Sequence, residues 1–260
     1  MKLVIDDITK EFATPKGSTL TVLKNISLTI AEEEFVALVG PSGCGKSTLL
    51  NLTAGLLEPT QGNIYFTDIE NNIEPKIGIV FQETGLFPWR SVYENIAFGL
   101  EANGTSKMKQ REQIEHYIEM VGLKGFENSY PHHLSGGMRQ RVGIARALVI
   151  KPDLLLMDEP FSALDAQTRT IMQEELVALW EKTRLSTLYV THNIQEAVLL
   201  ADRIVLLSRR PGKISKVLSI TIPRPQRELA SNAQTIDEYV RIIWEHISKD
   251  ARAALLEVDA

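Results

Sequence analysis

Gly40-Pro41-Ser42-Gly43-Cys44-Gly45-Lys46-Ser47-Thr48 is the stretch around which the rest of this 260-residue chain is read. The nine residues fit the pattern GxxxxGK(S/T). Before them, Phe35-Val36-Ala37-Leu38-Val39 is a continuous apolar run of strand type; after them, Leu49 to Leu57 is apolar enough for a buried helix. Strand, glycine turn and helix in that order predict a phosphate-binding loop. Glycines let the backbone curl so that successive N–H groups face an anion. The helix adds its own unpaired N–H groups and the positive end of its dipole. Lys46 is placed to reach the β- and γ-phosphates of a nucleoside triphosphate, and the Ser47 hydroxyl to coordinate Mg²⁺. A glycine-rich turn matching by chance would need neither flank.

Composition narrows what such a site serves. Hydrophobic residues make up 44% and charged residues 23%, ordinary for a globular protein. A formal charge of −5 argues against a dedicated nucleic-acid binder, which would carry a basic face. The single cysteine, Cys44, rules out an internal disulfide and suits a reducing compartment. Asp6 and Asp7 stand where a signal peptide would need an apolar run. No apolar stretch approaches the roughly 20 residues that span a bilayer. The chain is therefore expected to be cytosolic unless a partner holds it at a membrane.

Along the chain, residues 2–8 and 20–30 read as an antiparallel pair of strands joined through Thr14-Pro15-Lys16-Gly17-Ser18. Phe12, beside that turn, is either a core aromatic or a stacking platform for a base. Residues 61–66 and 77–81 read as strands, the second leading into Gln82. Residues 84–150 then carry helical patterns and almost no strand signal, with Ile114, Tyr117, Ile118 and Val121 at helical spacing. They read as a helical insertion. It closes on Leu134-Ser135-Gly136-Gly137 and a helix from Val142 to Ile150, so Ser135-Gly136-Gly137 is a second capped helix start and a second potential anion site. Leu154-Leu155-Leu156-Met157 is a buried strand ending in Asp158-Glu159. Residues 166–183 are helical, Leu188-Tyr189-Val190 is a strand ending at Thr191-His192, and Arg203 to Leu207 is one more. A Pro211-Gly212 turn leads into 213–222. Strands alternating with helices predict a mostly parallel sheet covered by helices, with functional groups at the strands' carboxyl ends. Gln82, Asp158, Glu159 and His192 all stand at such ends.

Hydrolysis of a nucleoside triphosphate needs a metal on the β- and γ-phosphates, a positioned water, and donors for developing charge. Asp158 fits the acid that holds Mg²⁺, and Glu159 a general base facing the attacking water. Gln82 suits either the metal or the water, and His192 a hydrogen bond to the γ-phosphate. Without the phosphate loop, Asp-Glu-Pro at a strand end would be read as a turn, and the histidine as structural.

These residues resemble the ATP-binding cassette (ABC) ATPases from about residue 2 to about residue 220. The most specific element is Leu134-Ser135-Gly136-Gly137, which looks like the family's signature motif. Phosphate loop, Gln82, signature, Asp158-Glu159, Ser162-Ala163-Leu164-Asp165 and His192 also follow the family's order. The resemblance implies an α/β fold: a P-loop NTPase (RecA-like) core with a mostly parallel sheet, an N-terminal antiparallel β-subdomain and an inserted α-helical subdomain. It implies a nucleotide-binding domain over residues 1–220, with the helical subdomain at about 84–150, and a C-terminal helical extension over 221–260. Gly40 to Thr48 and Phe12 would contact ATP, although Tyr is commoner than Phe at the adenine position. Ser47, Gln82 and Asp158 would serve Mg²⁺, and Glu159, His192 and Gln82 catalysis. Ser135, Gly136, Gly137 and the D-loop residue Asp165 would contact ATP in trans, across a head-to-tail dimer of cassettes.

With no span of its own, a transporting cassette requires separate permease subunits. In the family the region after Gln82 receives the permease, which makes Leu86, Phe87 and Trp89 candidate anchors; packing on the helical insertion is the alternative. Leu86-Phe87-Pro88-Trp89, Ser135 to Arg141 and Arg209-Arg210-Pro211-Gly212-Lys213-Ile214 look like the nitrate, sulfonate, taurine and bicarbonate importer subgroup. The implied protein is an ATPase coupled to transmembrane transport, peripheral on the cytoplasmic face of the inner membrane. A substrate-binding protein would be engaged only indirectly, and nucleic acid not at all. An exporter ATPase or a soluble non-transport cassette are the other classes. Ile236, Tyr239, Val240, Ile243 and Ile247 predict an amphipathic helix over 235–250. Cys44, at a helix start beside Lys46, is either a small residue that fits or a thiol activated by its surroundings.

Overall fold

The computed structural model describes residues 1–15, 17–68, 74–102, 107–162, 164–227 and 229–256. Lys16 and Ala163, named above, lie outside them, as does the end of the C-terminal extension beyond 256. The chain forms two compact units, Met1–Ile73 with Ser186–Ala260, and Glu74–Leu185.

In the first unit, β1 (Lys2–Ala13) lies between β2 (Thr19–Ile30) and β4 (Gln61–Thr67), and both pairings are antiparallel. The N-terminal pair is longer than the sequence pattern indicated. Its apolar alternation is interrupted where register shifts fall between Ile5 and Ile8 and again before Lys10. Asp7 and Asn25 both take left-handed backbone, and the Asn25 amide donates to the Asp7 carboxylate at 2.7 Å. A bulge of this kind bends a strand without ending it.

The second sheet of this unit is built on β3 (Phe35–Val39), in which all five residues are buried. β7 (Ser186–Thr191) and β8 (Arg203–Leu207) flank it in parallel, and β9 (Ile214–Ser219) pairs antiparallel with β8 at the edge. Strands buried on both faces read as continuous apolar runs, hence the lack of alternation in 35–39 and 204–207. The edge strand is half exposed and polar, a common way of blunting a sheet edge. Helix α1 (Lys46–Thr53) follows β3; it begins earlier and ends earlier than the apolar run Leu49–Leu57 suggested. Helix α6 (Ile194–Leu200) packs on β3 and on α7 (Ala233–Leu256).

The second unit pairs β5 (Ile77–Val80) with β6 (Leu154–Asp158) in parallel. α2 (Val92–Ala102) and α3 (Lys107–Met120) pack on α4 (Gly136–Leu148), and Arg141 of α4 donates to Met172 and Glu175 of α5 (Ala166–Thr183). Ile114, Tyr117 and Ile118 are the buried stripe of α3, as their spacing required. Helix α5 spans the residues its pattern indicated, from an Asp165 N-cap to a left-handed Arg184. No described helix is long and apolar enough to cross a membrane.

Residues beyond 220 are built into the first unit by two buried arginines. Arg224 donates to the Leu200 carbonyl and, at 2.6 Å, to Asp202, with its guanidinium over the Phe35 ring. Arg227 donates to the carbonyls of Ile222, Val198 and Leu199 at 2.8–3.0 Å. The last carbonyls of a helix lack intrahelical partners; here the C-terminal segment supplies the donors for α6.

Candidate active site

The turn after β3 is tight because it must pass from sheet to helix in six residues. Gly43 and Gly45 have φ of 74° and 106°, a region only glycine enters cheaply, and Gly45 is the N-cap of α1. Lys46 is buried, and its ammonium donates to the carbonyls of Gly40 (2.9 Å) and Pro41 (3.2 Å). That fixes the charge across the mouth of the loop and uses two of the three donors an ammonium has. Ser42, Gly43 and Ser47 are exposed, Pro41, Gly45 and Thr48 half-buried. The Ser47 hydroxyl thus faces outward on the first turn of α1.

Cys44 is buried instead of presented, and burial pushes its thiol above the usual range despite the nearby Lys46 charge. Desolvation outweighs the charge. Of the two readings of Cys44, this burial favours the small residue that fits. Phe12, next to last in β1, is 37% exposed, with the Lys10 ammonium 5.0 Å from its ring centroid. It is half-free to take a planar partner, and is a strand residue, not a loop one.

His192 follows β7 and is exposed. The turn that carries it is pinned on both sides. Asn193 caps α6 by accepting from the Glu196 amide; the Asn193 amide donates to the Thr191 hydroxyl at 3.0 Å; and that hydroxyl donates to the buried Glu196 carboxylate at 2.5 Å. Sequence reading gave the histidine and missed the Thr191–Glu196 pair that sets its turn.

In the second unit, Asp158 closes β6 and Glu159 follows it with φ 43°, a left-handed conformation that costs a non-glycine residue energy. The Glu159 carbonyl accepts from the Ser162 amide and hydroxyl at 3.2 and 3.0 Å, which holds the turn. The Gln82 amide donates to the Glu159 carboxylate at 3.4 Å, so these two predicted residues are brought together. Within the second unit Gln82 and Asp158 carry an amide oxygen and a carboxylate, and within the first unit Ser47 carries a hydroxyl, all hard oxygen donors of the kind that Mg²⁺ takes.

Ser135 caps α4, its hydroxyl accepting from the Met138 amide at 3.2 Å, and Ser135 and Gly136 are exposed at the helix start. A Cβ on Gly137 would lie 3.0 Å from the Thr168 side chain of α5. Asp165 caps α5 by accepting from the Thr168 amide and hydroxyl, and these bonds hold its carboxyl below the usual range. The signature and the end of the D-loop are therefore neighbours.

The segment after Gln82 is rigid where it is most apolar. Phe87 stacks at an angle on Trp89 and Phe98, with ring centroids 5.6 and 4.8 Å apart, and Arg90 lies over Phe87 and Phe98. Trp89 is 72% exposed; Leu86 and Phe87 are half-buried. Fully buried Asn95 holds the segment through the Phe87 amide and the carbonyls of Phe87, Arg90 and Ser91. Arg146 of α4 donates to the carbonyls of Thr84 and Gly85 at 2.7 and 2.8 Å, and burial keeps its guanidinium below the usual range. Neither Asn95 nor Arg146 stood out in the sequence, because an isolated polar residue in a helical stretch carries no signal until its acceptors are known.

Comparison with known proteins fits this geometry. Residues 23–162 match the family model described as ABC transporter. A nitrate import ATP-binding protein of Synechocystis sp. is 47% identical over 86% of this chain and 84% of its own. An aliphatic sulfonates import ATP-binding protein of Bacillus cereus is 44% identical over 92% of this chain and 94% of its own. The dimeric structure of a bacterial ABC transporter cassette superposes with a TM-score of 0.75 at 33% identity, covering 85% of this chain and all of that one. A dimeric post-hydrolysis cassette bound to ADP and Pi gives 0.74 at the same identity and coverage. This chain belongs to the ABC transporter family, as an ATP-binding subunit whose ATPase activity is coupled to transport.

Proposed function

We propose that this chain is the energy-coupling subunit of an importer for a small anion such as nitrate, a sulfonate, taurine or bicarbonate. The observation that carries the reading is the presence of two helix starts of anion-binding type, at Lys46–Ser47, where Ser47 is exposed, and at the exposed Ser135–Gly136, against a single GxxxxGK(S/T) loop. Two chains arranged head to tail use both. Each ATP lies between Gly40 to Thr48 of one chain, with Phe12 against its base, and Ser135, Gly136, Gly137 and Asp165 of the other. Ser47, Gln82 and Asp158 serve Mg²⁺, which when bound neutralises charge on the β- and γ-phosphates. Glu159 takes the proton of the attacking water as its oxygen bonds to the γ-phosphorus and the bond to the β–γ bridging oxygen breaks, a contribution of about 10²–10⁴ in rate. Gln82 orients that carboxylate, and His192 donates to the γ-phosphate.

Residues 1–220 act as the nucleotide-binding domain, with the helical part at about 84–150, and 221–260 as its extension. Leu86, Phe87 and Trp89 meet separate permease subunits on the cytoplasmic face of the membrane, and a substrate-binding protein acts through that permease. The import names of the nitrate and sulfonate relatives support the choice of solute. Glu159→Gln should form an ATP-dependent dimer on size exclusion and hydrolyse ATP at least about 100-fold more slowly. With permease and binding protein reconstituted, nitrate or a sulfonate should stimulate wild-type ATPase. Failure of every anion in such a panel would remove the importer reading and leave the ATPase.

A further inference from the structure

The end of β8 and the β8–β9 connection have no role in the chemistry above, yet each touches the phosphate loop at one point. A Cβ on Gly40 would meet the Leu207 carbonyl at 2.9 Å, and a Cβ on Gly212 would meet the Cys44 carbonyl at 2.2 Å and the Leu23 side chain at 3.2 Å. Gly212 has no left-handed φ, so it is glycine for close approach and not for backbone conformation. The contact is backbone against backbone, and neither side has a flexible end to swing away.

We propose that Gly212 is a positioning residue for the phosphate loop, with the Ser208–Lys213 turn acting as its backstop. The turn is tied to itself by Ser208 amide to Lys213 carbonyl (2.9 Å) and Lys213 amide to Ser208 hydroxyl (3.1 Å). It is tied to β2 by Gly212 amide to Val22 carbonyl (2.8 Å) and Lys24 amide to Gly212 carbonyl (3.0 Å). The same stretch of β2 closes on the loop from another side, since a Cβ on Gly45 would lie 2.6 Å from Leu23. Cys44 is held by its amide on the Pro41 carbonyl at 3.3 Å and by its buried thiol, which accepts from the Lys46 amide. A methyl group at 212 would force the Cys44 backbone and the turn apart by about 1 Å while β2 holds the turn from behind, a misplacement of the size that can cost up to about 10²-fold where groups must be aligned.

The inference rests on Gly40–Thr48 being the ATP phosphate site, and the test separates the two. Calorimetry with Mg·ATP should show Gly212→Ala binding at least about 10-fold more weakly than wild type, with KM raised by a larger factor than kcat is lowered. Lys213→Ala, an exposed side chain in the same turn, should bind as wild type. Wild-type affinity in Gly212→Ala, or an equal loss in Lys213→Ala, overturns the backstop. Wild-type affinity in Lys46→Ala would instead overturn the phosphate-site assignment itself. Should Gly212→Ala not fold, hydrogen exchange on the wild-type protein decides. Mg·ATP should slow the amides of Lys24 and Gly212, which tie the backstop to β2, and no change there refutes the proposal.

Discussion

Arg227→Met is the sharpest test of whether the chain beyond residue 220 belongs to the folded unit that carries the phosphate loop. The guanidinium is 3% exposed and donates to three carbonyls, Ile222 at 2.8 Å, Val198 at 3.0 Å and Leu199 at 2.8 Å. Methionine fills a similar volume and donates nothing. Each carbonyl left buried without a donor costs about 1–3 kcal/mol. Some of that is offset, because a buried cation is no longer held out of water and a wider cleft admits solvent to the Ile222 end. A net loss of about 3 kcal/mol is expected, which for a chain of this size lowers Tm by roughly 6–12 °C. Equilibrium urea unfolding followed by circular dichroism should show a lower midpoint with an unchanged slope. Arg227→Lys should recover part of the loss, since one ammonium lacks the planar fork that reaches acceptors on two sides. A change below about 1 kcal/mol in Arg227→Met would mean that the surrounding carbonyls are solvated anyway. The clamp on α6 would then not contribute to stability, and truncation after Ile220 should leave a stable protein.

Three further perturbations probe other parts of the molecule. Trp89→Ala removes an exposed ring while Asn95 keeps the segment's backbone bonds, so it should lower permease-coupled transport more than basal ATPase; equal losses in the two assays would argue against an anchoring role. Burial raises the Cys44 thiol, so it stays protonated at neutral pH and should alkylate more slowly than free cysteine, with urea restoring the free rate; modification as fast as free cysteine, blocked by ATP, would refute this. The Asp165 carboxyl is lowered by the Thr168 amide and hydroxyl, so its cap on α5 is complete above the ordinary aspartate range and is lost only as pH falls through the depressed value. The Thr168 amide resonance should therefore titrate below that range, and a midpoint at or above it would show that the cap is not formed.

Features of this fold that depend on local pattern were open to sequence reading. β3 and the first four residues of β6 are buried apolar runs, and Gly40 and Asp158 stand at their carboxyl ends. Ser135 and Asp165 are helix caps, which depend on residues only three positions away. Asn95, Arg146, Arg224 and Arg227 obey no such rule. Each is polar, sits in a stretch that tolerates polar residues, and is buried, or half-buried for Arg146, because backbone carbonyls or amides need a partner there. Periodicity cannot reveal a donor whose acceptors are chosen by tertiary structure.

The same distinction explains why the two glycines most involved with the phosphate loop differ in legibility. Gly45 is required by φ, a property of its own residue, and the motif pattern records it. Gly212 is required by the carbonyl of Cys44, 168 positions earlier in the chain, and looks in the sequence like any Pro-Gly turn. The phosphate loop is written as nine consecutive residues, but its shape is held by Leu23 in one strand and Gly212 in a turn between two others. A chain that kept Gly40 to Thr48 intact and lost either support would keep the motif and lose the conformation that gives the motif its affinity.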